Sequence, residues 1–119
     1  MAIKLFDSEL KVMEILWREG ETNAKRIAEI LGNRIGWSKT TTYTVIKKCL
    51  KKGAIERIEP NWLCRPLVTI EEVREYETSE LVNKMYGGAT DQLVASILGG
   101  KTLSKEEIKR LKQAVQELE

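Results

Sequence analysis

Apolar positions in the first half of the chain recur at helical spacing, and small polar residues and glycines punctuate them. Asp7 or Ser8 can cap a first helix running to about Arg18. Its Leu10, Met13, Ile15, Leu16 and Trp17 include the i, i+3 and i+4 relations of a buried stripe. Gly20 ends that helix, since glycine accepts the positive φ of a helix terminus. Thr22 or Asn23 then caps a second helix over about 24–31, burying Ala24, Ile27, Ala28 and Leu31, with Gly32 as its stop. Ser38 caps a third helix that reaches Lys52 and is closed by Gly53. Residues 54–59 and 62–68 read as two short strands around a Pro60-Asn61 turn. Pro66 cannot donate to a ladder, which predicts an edge position for the second strand.

Three helices followed by a hairpin is the order of a winged helix-turn-helix, the hairpin being the wing. From Thr69 the pattern is helical alone. One helix runs from a Thr69 cap to about Tyr86 and ends at Gly87-Gly88, and another spans about 90–98 before Gly99-Gly100. A last helix opens with a Ser104/Glu107 capping box. Ile108, Leu111, Val115 and Leu118 are spaced 3, 4, 3, a narrow stripe suited to a helix–helix seam. The predicted fold is therefore mostly α with a small β-hairpin: a winged-helix domain at 1–68 and a three-helix dimerisation domain at 69–119. Short helices of this kind bury little apolar surface alone, so a two-fold partner is the expected complement of the seam. Folding back on the first domain is the alternative.

Charge changes the picture when it is divided along the chain. The 119 residues carry 20 Lys+Arg and 18 Asp+Glu, a net +2, but residues 1–68 hold +5 and residues 69–119 hold −3. Such asymmetry fits a polyanion partner for the first half, or else a solvated charged helix face. The third helix bears on this choice. At 100° per residue, Thr42, Val45, Ile46, Cys49 and Leu50 share one side. Thr40, Thr44, Lys47 and Lys51 share the other, flanked by Thr41, Tyr43 and Lys48. Lysine neutralises phosphates or meets guanine acceptors, and threonine can bond a base edge or touch a thymine methyl. Thr40 and Thr41 also lie at the helix N-terminus, where free N–H groups and the dipole favour a phosphate, and Ser38 and Lys39 complete the candidate DNA-binding set of this helix. Threonine is a poor helix former, and four within 40–44 are not what a purely structural helix start requires. Arg57 and Arg65 in the wing can reach flanking phosphates. Trp62 either packs beneath the hairpin or touches nucleic acid, while Trp17 and Trp37 read as core.

Composition removes other functions. With no histidine there is no Ser-His or Cys-His pair and no imidazole ligand, and no phosphate-binding or nucleophile-elbow motif occurs. An enzyme is not expected, nor a cofactor or a metal. No apolar run approaches a membrane span and the start MAIKLFDSEL lacks a signal-peptide core, so no membrane association is expected. Cys49 and Cys64 make no disulfide framework; they fit buried small side chains in a cytoplasmic protein, with a redox pair as the alternative.

On these residues the chain resembles the penicillinase and methicillin-resistance repressor family of bacterial winged-helix regulators. Ser8-Glu9-Leu10-Lys11-Val12-Met13-Glu14-Ile15-Leu16-Trp17 is similar to that family's opening helix. Trp37-Ser38, Thr41, Thr44 and Lys51-Lys52-Gly53 are similar to its recognition helix. Lys84-Met85-Tyr86-Gly87-Gly88, Leu93-Val94 and Leu103-Ser104-Lys105-Glu106-Glu107-Ile108 follow its C-terminal order. The resemblance implies a homodimeric repressor on a palindromic DNA operator, often upstream of β-lactam-resistance genes. Dimerisation would fall to the C-terminal helices, here through Leu81, Met85, Leu93, Val94, Ile97, Ile108, Leu111, Val115 and Leu118. Many members are inactivated when a membrane sensor triggers proteolysis at an Asn-Phe bond. The matching bond here is Ser96-Ile97, so a sensor protease of that specificity would meet a different substrate. Thr40 and Tyr43 replace basic residues that some members carry, which implies a different operator. Residues 116–119 lack the cysteines of a copper-responsive branch, in keeping with the absence of an expected metal. A winged-helix adaptor that binds protein rather than specific DNA is the competing function.

Overall fold

The structure, a computed structural model, describes residues 3–100 and 102–118. Six helices and a small three-stranded sheet follow in the order α1 (Asp7–Glu19), β1 (Thr22–Asn23), α2 (Ala24–Ile35), α3 (Lys39–Lys52), β2 (Ile55–Ile58), β3 (Leu63–Pro66), α4 (Ile70–Tyr86), α5 (Thr90–Gly99) and α6 (Lys105–Glu117). Helix α1 begins one position earlier than the Asp7/Ser8 caps imply. Phe6 is its N-cap, because the Glu9 carboxylate folds back and accepts from the Phe6 backbone N–H at 2.7 Å.

Helix α2 starts as expected, with the Asn23 side chain accepting from Arg26 N at 2.8 Å, but Gly32 does not stop it. The helix continues to Ile35 and ends at Gly36, which takes the left-handed conformation (φ 72°) and donates to Gly32 O at 3.1 Å. Of two nearby glycines, the later one therefore supplies the turn.

The hairpin has a third neighbour. Residues Thr22 and Asn23, ahead of α2, pair antiparallel with Cys64 and Leu63, so the sheet order is β1-β3-β2 and β3 is central rather than an edge. Pro66 is tolerated because β1 reaches only as far as Cys64. Pro66 faces Ile55 of β2 on one side and has no ladder partner on the other. The Glu59-Pro60 peptide in the turn is cis.

The chain divides into two compact units, Met1–Thr78 and Ser79–Glu119. The core of the first unit is built from α1 (Val12, Met13, Leu16), α2 (Ile27, Leu31), α3 (Val45, Ile46, Cys49) and the sheet (Ile55, Cys64). Trp17 and Trp37 lean on this core half-buried, and the Trp17 indole donates to Val68 O at 2.9 Å. The unit extends into α4 because Val73, on that helix's first turns, belongs to the same core. Helix α4 starts with a reciprocal cap: Thr69 Oγ1 accepts from Glu72 N, and the Glu72 carboxylate accepts from Thr69 N, both at 3.1 Å. Those hydrogen bonds hold the exposed Glu72 carboxyl below its ordinary pKa. In the second unit, Ser104 and Glu107 make the expected capping box at the start of α6.

Candidate nucleic-acid interface

Helix α3 is fixed at both ends. Ser38 Oγ accepts from Thr41 N at 3.1 Å, and Gly53, left-handed at φ 80°, donates back to the carbonyls of Cys49 and Leu50. Between these caps the helix divides as its periodicity requires. Thr42, Val45, Ile46 and Cys49 are buried, and Leu50 is half-buried against the core. Ser38, Lys39, Thr40, Thr41, Thr44, Lys47, Lys48 and Lys51 are exposed, and Tyr43 is half-buried beside the hairpin.

Charge on this surface is uncompensated. Among the described residues, no ion pair involves Lys39, Lys47, Lys48 or Lys51. Lys52, Arg57 and Arg65, by contrast, are paired. Lys52 turns inward to Glu9, which is only 1% exposed, and also donates to Lys4 O at 2.7 Å. Arg57 bonds Glu59 of its own hairpin. Arg65 is divided between Glu21 at 2.9 Å and Glu56 at 3.3 Å, so its charge is largely matched. The two wing arginines thus differ in setting from the four free lysines.

The hydroxyls are also arranged. Thr44 Oγ1 donates to Thr40 O at 2.8 Å, which leaves its lone pairs and methyl group facing outward. In that state it can accept from an amino group on a base edge or touch a thymine methyl. Ser38 Oγ donates to Thr41 Oγ1 at 3.0 Å, so these two act as cap rather than as free donors. Lys39, Thr40, Tyr43, Thr44, Lys47 and Trp62 line a recess of about 450 Å³ between α3 and the hairpin.

Two features escaped the sequence reading. Trp62 lies against Tyr43 (ring centroids 5.1 Å apart, planes 37°) and under the Arg57 guanidinium at 4.0 Å, which joins wing to helix. The buried Glu9–Lys52 pair anchors the end of α3 to the start of α1. The second had a signal: Glu9 stands in register with Val12, Met13 and Leu16, an acid on an apolar stripe. The first had none, since no rule of spacing links position 43 to position 62.

Cys49 and Cys64 are both free and buried. Burial pushes the Cys49 thiol up to about 12, reinforced by the nearby Glu9 charge, and the Cys64 thiol up to about 11. Neither is a nucleophile at neutral pH. Among the described residues, no cluster of three acidic, cysteine or histidine side chains could hold a metal, and no helix is long and apolar enough to cross a membrane.

The remaining sequence-predicted residues lie on the second unit. Leu81, Met85, Val94, Ile97, Ile108, Leu111, Val115 and Leu118 are exposed, and Leu93 is half-buried. Leu98, outside the predicted set, is equally exposed and lines a groove of about 430 Å³ with Val94, Ile108, Leu111 and Val115. Ser96 and Ile97 lie on the exposed surface of α5.

Three helices, a hairpin packed beside the third, and a bare cationic face on that helix define a winged-helix protein. A family model described as penicillinase repressor matches residues 5–117, and the chain belongs to that family of winged-helix repressors, which are not enzymes. The chain is 27% identical over 116 residues to the penicillinase repressor of Bacillus licheniformis, covering 96% of this chain and 91% of the relative. It is 32% identical over 111 residues to the methicillin resistance regulatory protein MecI of Staphylococcus aureus (strain N315), covering 92% and 90%. Among solved structures, the fold is similar to the DNA binding domain of the repressor BlaI, with TM-score 0.55, 23% identity, 60% of this chain and 90% of that one. It is also similar to the Bacillus licheniformis BlaI monomeric form in complex with the blaP half-operator, with TM-score 0.54, 23% identity and the same coverage.

Proposed function

We propose that this chain is a DNA-binding transcriptional repressor that grips a palindromic operator as a homodimer, with α3 of each copy in the major groove. The observation that carries the reading is the unpaired Lys39, Lys47, Lys48 and Lys51 sharing one exposed face with Thr40 and Thr44. The four lysines stand without a carboxylate while the two wing arginines beside them, Arg57 and Arg65, are matched. The likeness to a chain described in complex with a half-operator supports the same reading.

In this account the lysines neutralise phosphates and Thr44 meets a base edge. Ser38 and Thr41 cap the helix start, and the N–H groups they leave free face a phosphate. Arg57, matched by the single carboxylate of Glu59, contributes at the wing, and Arg65 contributes less because two carboxylates, Glu21 and Glu56, already match it.

The homodimer rests on the second unit. Exposed apolar residues line one groove between α5 and α6, which a second copy of the same helices would fill. A two-fold dimer would set its two recognition helices one DNA turn (~34 Å), or a multiple of it, apart. Such a repressor acts in the cytoplasm. If a sensor protease removes it, the bond to be cut is Ser96-Ile97, which lies within a helix and must unwind locally first.

The test is a comparison of two variants on duplexes that the protein itself selects from a random library. Thr44→Ala should relax base preference at one position, and Lys51→Ala should weaken binding to all sequences alike. If both variants bind as the unsubstituted chain does, the α3 face is not the DNA surface.

A further inference from the structure

We infer that Trp62 is the positioning residue that locks the wing to the recognition helix for DNA binding, an inference that rests on the function proposed above. Trp62 stands where the turn enters β3 and takes φ 48°, the left-handed region that residues with a side chain rarely adopt. Its indole Nε1 is buried without a partner among the described residues, so the side chain also forgoes a hydrogen bond there. A turn alone does not call for this residue. Asparagine or glycine would take the same backbone conformation with less strain and no orphaned donor.

What tryptophan adds is its reach. The ring meets Tyr43 of α3 at 5.1 Å and carries the Arg57 guanidinium of β2 at 4.0 Å, so the side chain touches both α3 and the opposite strand of the wing. The backbone at this position, independently of the side chain, accepts from Ala24 N at the start of α2 at 3.0 Å. The same ring forms part of the recess lined by Lys39 and Lys47. DNA presents phosphates at fixed spacing, so a wing that is already set against α3 avoids the ordering cost of bringing Arg57 and the α3 lysines into register on binding.

The experiment measures affinity for the selected duplex by fluorescence polarisation at fixed salt, with folding monitored by circular dichroism. Trp62→Leu should bind about ten-fold more weakly, and Trp62→Phe, which keeps an aromatic face for Tyr43, should recover most of the loss. Tyr43→Leu removes the same contact from the helix side and serves if Trp62→Leu does not fold. The decisive reading is coupling. Arg57→Gln should weaken binding in the unsubstituted chain and add little in the Trp62→Leu or Tyr43→Leu background. A merely structural tryptophan would leave the Arg57 effect additive, and additivity overturns the inference. Unchanged affinity of a folded Trp62→Leu also overturns it while leaving DNA binding intact. Failure of the unsubstituted chain to select any duplex sinks the DNA reading itself, before any variant is compared.

Discussion

At the scale of single residues, the pair of Lys52 with the buried Glu9 holds α3 in place. Lys52 Nζ reaches the Glu9 carboxylate, Lys4 O at 2.7 Å and the face of Phe6 at 4.1 Å, so its charge is satisfied from three directions. Lys52→Met would strand the Glu9 carboxylate and should cost about 2–3 kcal/mol in urea denaturation, with much of the loss recovered in Glu9→Leu/Lys52→Met. An unchanged midpoint for Lys52→Met would mean that the pair holds nothing. Thr42 presents the opposite case: its hydroxyl is buried and has no partner among the described residues. Thr42→Val keeps the shape and removes the orphaned group, so stability should rise by about 1 kcal/mol; a fall would mean that the hydroxyl is bonded. The thiols give a pH test. Cys49 and Cys64 titrate at about 12 and 11, above their ordinary 9.0, so the folded state keeps protons that the unfolded state releases. Their effect on stability is nil below pH 9 and destabilising as pH rises from there towards 11–12. At pH 8 the native protein should resist alkylation and become reactive only in denaturant; rapid native labelling would contradict the burial assigned to both.

At the scale of elements, the helical setting of Gly32 is open to direct test. Gly32 lies inside α2, and a Cβ placed there would meet only Trp37 O at 3.5 Å, an ordinary contact. Gly32→Ala should therefore stabilise the protein by about 0.5–1 kcal/mol, whereas a helix ending at Gly32 would be destabilised by it. The caps explain what the sequence made legible. Asn23, Ser38, Gly53, Thr69 and Ser104 act locally, through bonds to residues within four positions, and each stands where the chain pattern puts it. What was not legible depends on distant partners. Thr22–Asn23 is a strand only because Leu63 and Cys64 lie alongside, and that pairing is also what turns β3 from an edge into the centre. The hydroxyl-and-lysine face of α3 was readable because helical periodicity alone separates it from Val45, Ile46 and Cys49. The pairing of Arg65 with Glu21 and Glu56 was not, since it requires the sheet to bring β3 beside β2 and beside the residue that precedes β1.

At the scale of the whole molecule, the proposed repressor is two copies on one duplex. The exposed Val94, Leu98, Ile108, Leu111 and Val115 should lie at the contact between copies, so Leu111→Glu should shift the mass in solution from dimer to monomer. The same change should weaken binding to a full operator much more than to a half-site. An unchanged dimer mass would move the interface elsewhere. Four free lysines per copy also imply steep salt dependence, with log affinity falling by about 0.9 per phosphate contact for each log unit of salt. Whether the Thr40/Thr44/Lys47 face of α3 meets DNA can be read by titrating the isotope-labelled full chain with its selected duplex and following backbone amide signals. The largest changes should fall on Lys39, Thr40, Tyr43, Thr44 and Lys47, with smaller ones at Arg57 and Trp62. Changes confined to other elements, with the α3 signals unmoved at saturating duplex, would contradict DNA contact at this face.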